Sequence, residues 1–472
     1  MKELVLGMLL AAAQVTEPPP AVPPAAGGES ETAPATPQAA PPAPLRPAEP
    51  GPGASRVLTL AEAEQSARER QPQLAQARAL TSAAYSRADE ARAPLLPQVS
   101  GSAAYARTTG NFAPRPGTLP SSVSSVARSS WSTFDYFNFG LSASQLIYDF
   151  GATSQRWRST QASAAAQRDT EQSTAMQVLL TVRATFFSAR AQRDLVRVAR
   201  ETLANQEAHL RQVEGFVRAG TRPQVDLYQA LTDRANAQVA LITAENNYAT
   251  ARAQLNQAMG VTGPTDYEVA SDTLPVLEGE DSTIEALIPE AEKNRPDLLS
   301  LEEQARAQEL TISSAQGSYG PALGVSTGFT EAGPSLGSTV WNWNATATLT
   351  WNIFQGFLTR SQVEEARANT SAARAQAEVL RQQIRVDVET ARLAVRAAKS
   401  SLGAANEALV NAKERLRLAE RRYQTGVGTL IDLGDAQVAE TTAAAQLVQA
   451  EFTLSTARAQ LVRALGREVS RG

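Results

Sequence analysis

The chain has no cysteine and a single histidine in 472 residues. No disulfide framework and no Cys/His metal site can be built from it, and no cysteine is available for a lipid anchor. Aromatic residues make up only 6%. No run of 18 apolar residues occurs, so no transmembrane helix is expected. That excludes a helical membrane transporter but not the membrane itself, because barrel strands leave a much weaker trace. Neither sign of charge predominates: 44 Lys and Arg stand against 48 Asp and Glu, a formal charge of -4. Such a balance gives no support to a nucleic-acid surface. No clustered nucleophile and base, phosphate loop or metal site is present, so neither an enzyme nor a cofactor is expected.

What is present begins with a leader. Residues 1–16 read as a secretory signal: Lys2 precedes an apolar stretch from Leu4 to Ala13, and Ala11 and Ala13 supply small residues for cleavage. Residues 17–57 hold 13 of the 26 prolines. That composition cannot form a packed core and predicts a disordered linker.

The remainder is one unit written twice. Pro72 and Pro296 lie 224 residues apart, as do Pro97 and Pro321. Gly220 and Gly426 lie 206 apart, as do Asp226 and Asp432, and Gly260 and Gly466. Asp149-Phe150-Gly151 aligns with Phe354-Gln355-Gly356 at an offset of 205. The drop from 224 to 205 assigns copy one 19 extra residues, around 108–133. The first repeat is assigned to 58–260, the second to 284–466, the inter-repeat segment to 261–283 and a short tail to 467–472. Each unit reads as helix, two strands, long helix, break, helix. Gly151 to Ala219 contains no proline and predicts one helix of about 66 residues, near 100 Å long. Gly220-Thr221-Arg222-Pro223 and Gly426-Val427-Gly428-Thr429 break the two long helices. The breaks are followed by helices from about 223 to 259 and from about 429 to 465.

The strand segments decide against a plain helical bundle. Strands are expected at about 98–108, 134–148, 322–332 and 340–353. In the last, Trp341, Trp343, Ala345, Ala347, Leu349, Trp351 and Ile353 alternate with Asn and Thr. In copy one Phe137, Phe139, Leu141, Ala143 and Ile147 alternate with Asn138, Gly140, Ser142 and Ser144. These lengths and alternations suit tilted strands with one face in lipid and one lining water. Four strands cannot close a barrel, and open edges are not tolerated in a bilayer. Three chains of four strands each would give twelve.

The paired LTLAEAEQSARERQPQL and STIEALIPEAEKNRPDL helices, the YDFG and IFQG turns, and the AGTRPQVDLYQA and TGVGTLIDLGDAQ tips resemble the TolC family of outer-membrane efflux proteins. The resemblance covers nearly all of residues 58–466. It implies a mainly α homotrimer, with a twelve-stranded β-barrel in Gram-negative outer-membrane lipid and an α-helical tunnel in the periplasm. The duct is passive. It docks on a periplasmic membrane-fusion adaptor and an inner-membrane pump, an antiporter or an ATP-driven exporter. Small-molecule export is the leading expectation. A type I protein-secretion channel is the alternative, and a pore-less periplasmic coiled-coil protein is the alternative from another class.

Carried over residue by residue, Asp432 and Asp435 match the acidic positions that ring the periplasmic mouth. Crowded carboxylates there would raise one another's pKa and attract cations. Copy one keeps Asp226 but has Gln229 in place of the second acid. Tyr423 and Asp226 match a tyrosine–aspartate latch. The family's gating arginine falls on Gly428, and Arg222, at the equivalent turn of the other copy, is the candidate substitute. Gly220, Thr221, Gly426, Gly428 and Thr429 form the turns expected to meet the adaptor. His209 lies in a long polar helix with no ligand partner nearby in sequence.

Overall fold

A computed structural model describes residues 56–109 and 131–467. The expected signal, most of the linker, the bulk of the 108–133 insert and the end of the tail lie outside these residues. Arg56 and Val57, assigned above to the linker, instead belong to strand β1 (Arg56–Leu58), which pairs in parallel with β4 (Tyr267–Val269). The helices of copy one are α1 (Leu60–Arg70), α2 (Pro72–Arg92), α3 (Ala152–Arg218) and α4 (Gln224–Met259). Those of copy two are α5 (Ile284–Asn294), α6 (Pro296–Gly317), α7 (Leu358–Gln424) and α8 (Leu430–Ala464). Both long helices have 67 residues, about 100 Å at 1.5 Å per residue.

The helices are long because alanine and straight-chain residues carry little helical penalty and no proline interrupts them. They stay together through two cores built at matching positions. In copy one Leu74, Val178, Val182, Leu255 and Met259 are buried together. In copy two Leu298, Ile384, Val388, Leu461 and Leu465 are buried together. Each member of the second set lies 224 or 206 residues beyond its counterpart. Fully burying such a side chain contributes about 1.5–3 kcal/mol, so duplicated cores imply duplicated restraint.

Each core is closed by a glycine with positive φ at the end of the second helix, Gly260 (71°) and Gly466 (66°). A Cβ on Gly260 would lie 2.7 Å from the Arg70 carbonyl oxygen and from the Gln71 Cα. A Cβ on Gly466 would lie 2.7 Å from the Asn294 carbonyl carbon. The end of α4 thus abuts the α1–α2 junction, and the end of α8 abuts the α5–α6 junction. Gln71 reinforces the first joint by donating from Nε2 to the Ala258 carbonyl at 2.8 Å.

The segment between the repeats lies across the helices, strapped there by cations at matching positions. Arg252 of α4 donates to the Thr265 carbonyl at 2.7 Å, and Arg193 of α3 bonds to the Val269 carbonyl and the Ser271 hydroxyl. Their counterparts 206 residues on are Arg458 and Lys399. Arg458 donates to the Leu274 carbonyl at 3.0 Å and to the Glu280 carboxylate. Lys399 lies 2.7 Å from Glu280 and 2.8 Å from Asp281. Burial pushes the Glu280 carboxyl up, but the bonds from Arg458, Lys399 and the Leu277 N–H outweigh it and hold it below its ordinary value.

The strands β2 (Gln98–Thr109), β3 (Thr133–Tyr148), β5 (Ala322–Gly333) and β6 (Val340–Thr350) form one antiparallel sheet in the order β2-β3-β5-β6. Register places Tyr105 opposite Phe137, Leu141 opposite Phe329, and Phe329 opposite Trp343. This face is mainly apolar, with Phe329 stacked on Trp341 at 6.1 Å, and carries Arg107, Asp135 and Glu331 towards one end. The opposite face carries Ser102, Gly140, Thr330 and Asn342 in one row. Among the described residues, β2 and β6 each keep one edge unpaired.

Three expectations change. The last strand ends at Thr350 because its partner β5 begins at Ala322, opposite Thr350. Trp351 therefore leaves the sheet and donates its indole N–H to the Tyr319 carbonyl at 3.0 Å. Ile147 is skipped by a bulge, since Leu146 faces Gly324 while Tyr148 faces Leu323. The strand-to-helix turns also differ by one residue from the glycine alignment. Positive φ falls on Phe150 and Gly151 in copy one, and on Gly356 and Phe357 in copy two. Helices α3 and α7 start 206 residues apart, so the glycine fills the second place of the left-handed pair once and the first place once.

Candidate functional site at the helix tips

At the far end from the sheet both long helices stop in the same way. Gly220 (φ 73°) and Gly426 (φ 79°) take the left-handed conformation. The N–H of Thr221 donates to the Phe216 carbonyl, and that of Val427 to the Arg422 carbonyl, each at 3.0 Å. This bonding pattern satisfies carbonyls that a helix end leaves without partners.

The helices that follow are capped differently. Pro223 caps α4 by its fixed φ alone, with no side-chain bond. Thr429 caps α8 with a reciprocal box. Its hydroxyl accepts from the Asp432 N–H at 3.1 Å, and the Asp432 carboxylate accepts from the Thr429 N–H at 3.3 Å. Those bonds with Thr429, aided by Arg422 and Arg415, hold the Asp432 carboxyl below its usual value. Within one chain the direction is therefore opposite to that expected of crowded acids. Asp435 stands one turn further along α8, and both acids are exposed.

Gly428 is buried. A Cβ there would lie 3.0 Å from the Tyr423 backbone nitrogen and 3.1 Å from the Arg422 carbonyl carbon. Any side chain at 428, including the arginine that the resemblance places there, would need this backbone to give by a few tenths of an ångström.

Tyr423 is where the copies meet at the tips. It is 1% exposed and packs with Val213 of α3, Ala230 of α4 and Leu433 of α8. Arg222 lies over its ring, 4.7 Å from the centroid, an attraction of the guanidinium for the π-face. Phe216 meets the ring edge-on at 6.3 Å. The hydroxyl has no hydrogen-bond partner among the described residues. The tyrosine–aspartate link is thus not closed within the chain: Asp226 acts on Tyr423 only through its charge. Burial is the main reason the phenol is held above its usual value.

His209 is the residue that spacing alone missed. It is buried on α3, its ring 5.4 Å from Tyr423, and its Nε2 has no partner among the described residues. The available signal was its place beside Leu210 on the stripe that continues through Val213 and Val217.

A family model described as "Outer membrane efflux protein" matches residues 63–261 and 287–467. No curated protein sequence matches the chain. Among solved structures, a membrane protein from Pseudomonas aeruginosa is 20% identical, with a TM-score of 0.74 over 90% of this chain and 97% of that one. The CmeC outer membrane channel of Campylobacter jejuni is 19% identical, with a TM-score of 0.72 over 86% and 85%. The open state of the MtrE outer membrane channel of Neisseria gonorrhoeae is 20% identical, with a TM-score of 0.70 over 86% and 89%.

Proposed function

The chain belongs to the outer membrane efflux protein family, the TolC-type exit ducts of the outer membrane with a periplasmic helical tunnel, and from that premise we propose that three copies close one duct. The observation that carries this reading is the four-stranded sheet, mainly apolar on one face and polar on the other, with both outer edges unpaired among the described residues. An open edge in hydrocarbon leaves backbone groups unsatisfied at several kcal/mol each. Joining β6 of one copy to β2 of the next removes all such edges and closes twelve strands.

The helix tips form the periplasmic mouth. Asp432 and Asp435 from three chains ring the opening and favour cations, and Arg222 on Tyr423 holds the two repeats of each chain together in the closed state. The turns at Gly220, Thr221, Gly426, Gly428 and Thr429 face a periplasmic adaptor, behind which an inner-membrane pump supplies energy. Small molecules are the cargo. Planar-bilayer recording tests the mouth: Asp432→Ala/Asp435→Ala channels lose cation preference and divalent block. Unchanged selectivity and block would contradict the acidic ring. Raised closed-state current in Arg222→Ala supports the latch, and unchanged current removes it. Copurification of a periplasmic adaptor and an inner-membrane pump with the duct tests the partners.

A further inference from the structure

The only imidazole of the chain is buried where its two repeats touch. His209 is 7% exposed, its Nε2 lacks a partner among the described residues, and its ring edge meets Tyr423. Arg222 occupies another side of the same ring. The groups facing His209 can be named element by element. Helix α4 presents Asp226 and Asp233, the two charges that act on the imidazole. Helix α7 presents the neutral Tyr423. Helix α8 presents Gln437, bonded to Gln206 one turn before His209. On α3 itself Glu207 is paired with Arg234 at 3.6 Å.

We infer that His209 is the proton-sensing positioning residue of the periplasmic mouth: neutral, it packs the repeats closed through Tyr423, and protonated, it forces them apart. This rests on the latch reading above. A protonated imidazole becomes a second cation against a phenol ring that already carries a guanidinium, in a site that burial shields from water. Asp226 and Asp233 attract the proton, but desolvation outweighs them and holds the imidazole below its usual value. The sign follows from linkage. The open mouth exposes the imidazole to water and binds the proton more readily. Closure is therefore fully favoured above the ordinary histidine value and is lost as pH falls below it towards the depressed value of the closed state.

The test uses the full-length trimer in planar bilayers, purified without a polyhistidine tag. Between about pH 7.5 and about pH 5.5, closed-state current of the unmodified protein rises severalfold, on the order of threefold or more. His209→Gln stays closed at both values, and His209→Lys is open at both. An unmodified current that does not respond to pH overturns the inference. So does a His209→Gln channel that keeps the full response, because the titrating group is then elsewhere. Failure of the latch itself is read separately: Arg222→Ala and Tyr423→Leu currents equal to those of the unmodified protein at both pH values remove the latch. If His209→Gln fails to assemble, ¹⁵N-histidine labelling of the unmodified protein decides, because it yields one imidazole signal. Titration below the free-histidine value, in step with current, supports the inference, and titration at the free value with no linked change in current overturns it.

Discussion

The two repeats are nearly the same machine at their middles and different machines at their tips. At the middle, Val178, Val182, Leu255 and Met259 have apolar counterparts at 384, 388, 461 and 465, and Gly260 and Gly466 make the same close approach to backbone. At the tips the stop of the long helix is shared, but its surroundings are not. Copy one offers Arg222 and His209; the same places in copy two hold Gly428 and Arg415. Copy two offers Tyr423 and the Thr429–Asp432 box; the same places in copy one hold Val217, Pro223 and Asp226. Mechanical restraint is needed twice and is written twice. The copies touch along much of their length, as at Arg190–Glu451 and Thr202–Thr441, but the tip contact of Arg222 and His209 with Tyr423 is made where the copies have diverged.

The largest effect should fall on the shared joint. Gly260→Val and Gly466→Val place a side chain against backbone at a positive φ, and each should cost about 3 kcal/mol or more by overpacking and strain. Denaturant unfolding checks both, and tolerance of either one would break the equivalence of the two middles.

The straps sharpen the comparison next. Arg458→Ala leaves the Glu280 side chain, 1% exposed, with Lys399 and the Leu277 N–H as its remaining partners and should cost about 3 kcal/mol. Arg252→Ala removes carbonyl bonds and a cation–π contact with Tyr248 but strands no buried charge, and should cost about 1–2 kcal/mol. Because Glu280, Glu290 and Asp297 are all held below their ordinary values, the stability they contribute is present above the usual carboxylate range and lost as pH falls through the depressed values. Acid unfolding of Arg458→Ala should therefore begin at higher pH than that of the unmodified protein.

Smaller effects separate the tips. Thr429→Ala removes the capping box and should destabilise the start of α8 by about 1 kcal/mol. It should also let the Asp432 carboxyl return towards its usual value. Pro223→Ala removes no side-chain cap and should change stability by less than about 0.5 kcal/mol. Hydrogen exchange over the first turns of α8 and α4 reads the difference. Tyr423→Phe should be close to neutral in unfolding, because the hydroxyl it removes has no partner among the described residues.

Most of the architecture was legible in the sequence because duplication repeats its marks at a fixed offset, and because strand alternation differs in period from helical stripes. Element ends were legible where one residue type enforces them, as Gly220 and Gly426 do. The bulge at Ile147 was not, although the alternation falters at Gln145 and Leu146, because a polar–apolar exchange does not say which residue the partner strand skips. The slip at Phe150-Gly151 against Gly356-Phe357 was hidden because glycine can occupy either place of a left-handed pair. The capping box was readable as Thr429 followed by Asp432 three residues on. The meeting of His209, Arg222 and Tyr423 was not readable, because it joins residues more than 200 positions apart in a contact that the duplication does not repeat.

The central claim is that the sheet closes only between chains. Within one chain β2 and β6 are separated by two strands, about 14 Å at the usual strand spacing, too far for a disulfide. The chain has no cysteine of its own, so Ser102→Cys can be paired in turn with cysteine at Asn342, Asn344, Thr346 and Thr348 along the polar face of β6. Oxidation of the protein in outer membranes should convert at least one pair into a covalent trimer on denaturing gels. A series giving only monomer, or a covalent species that stops at dimer, would contradict the closed barrel of three chains.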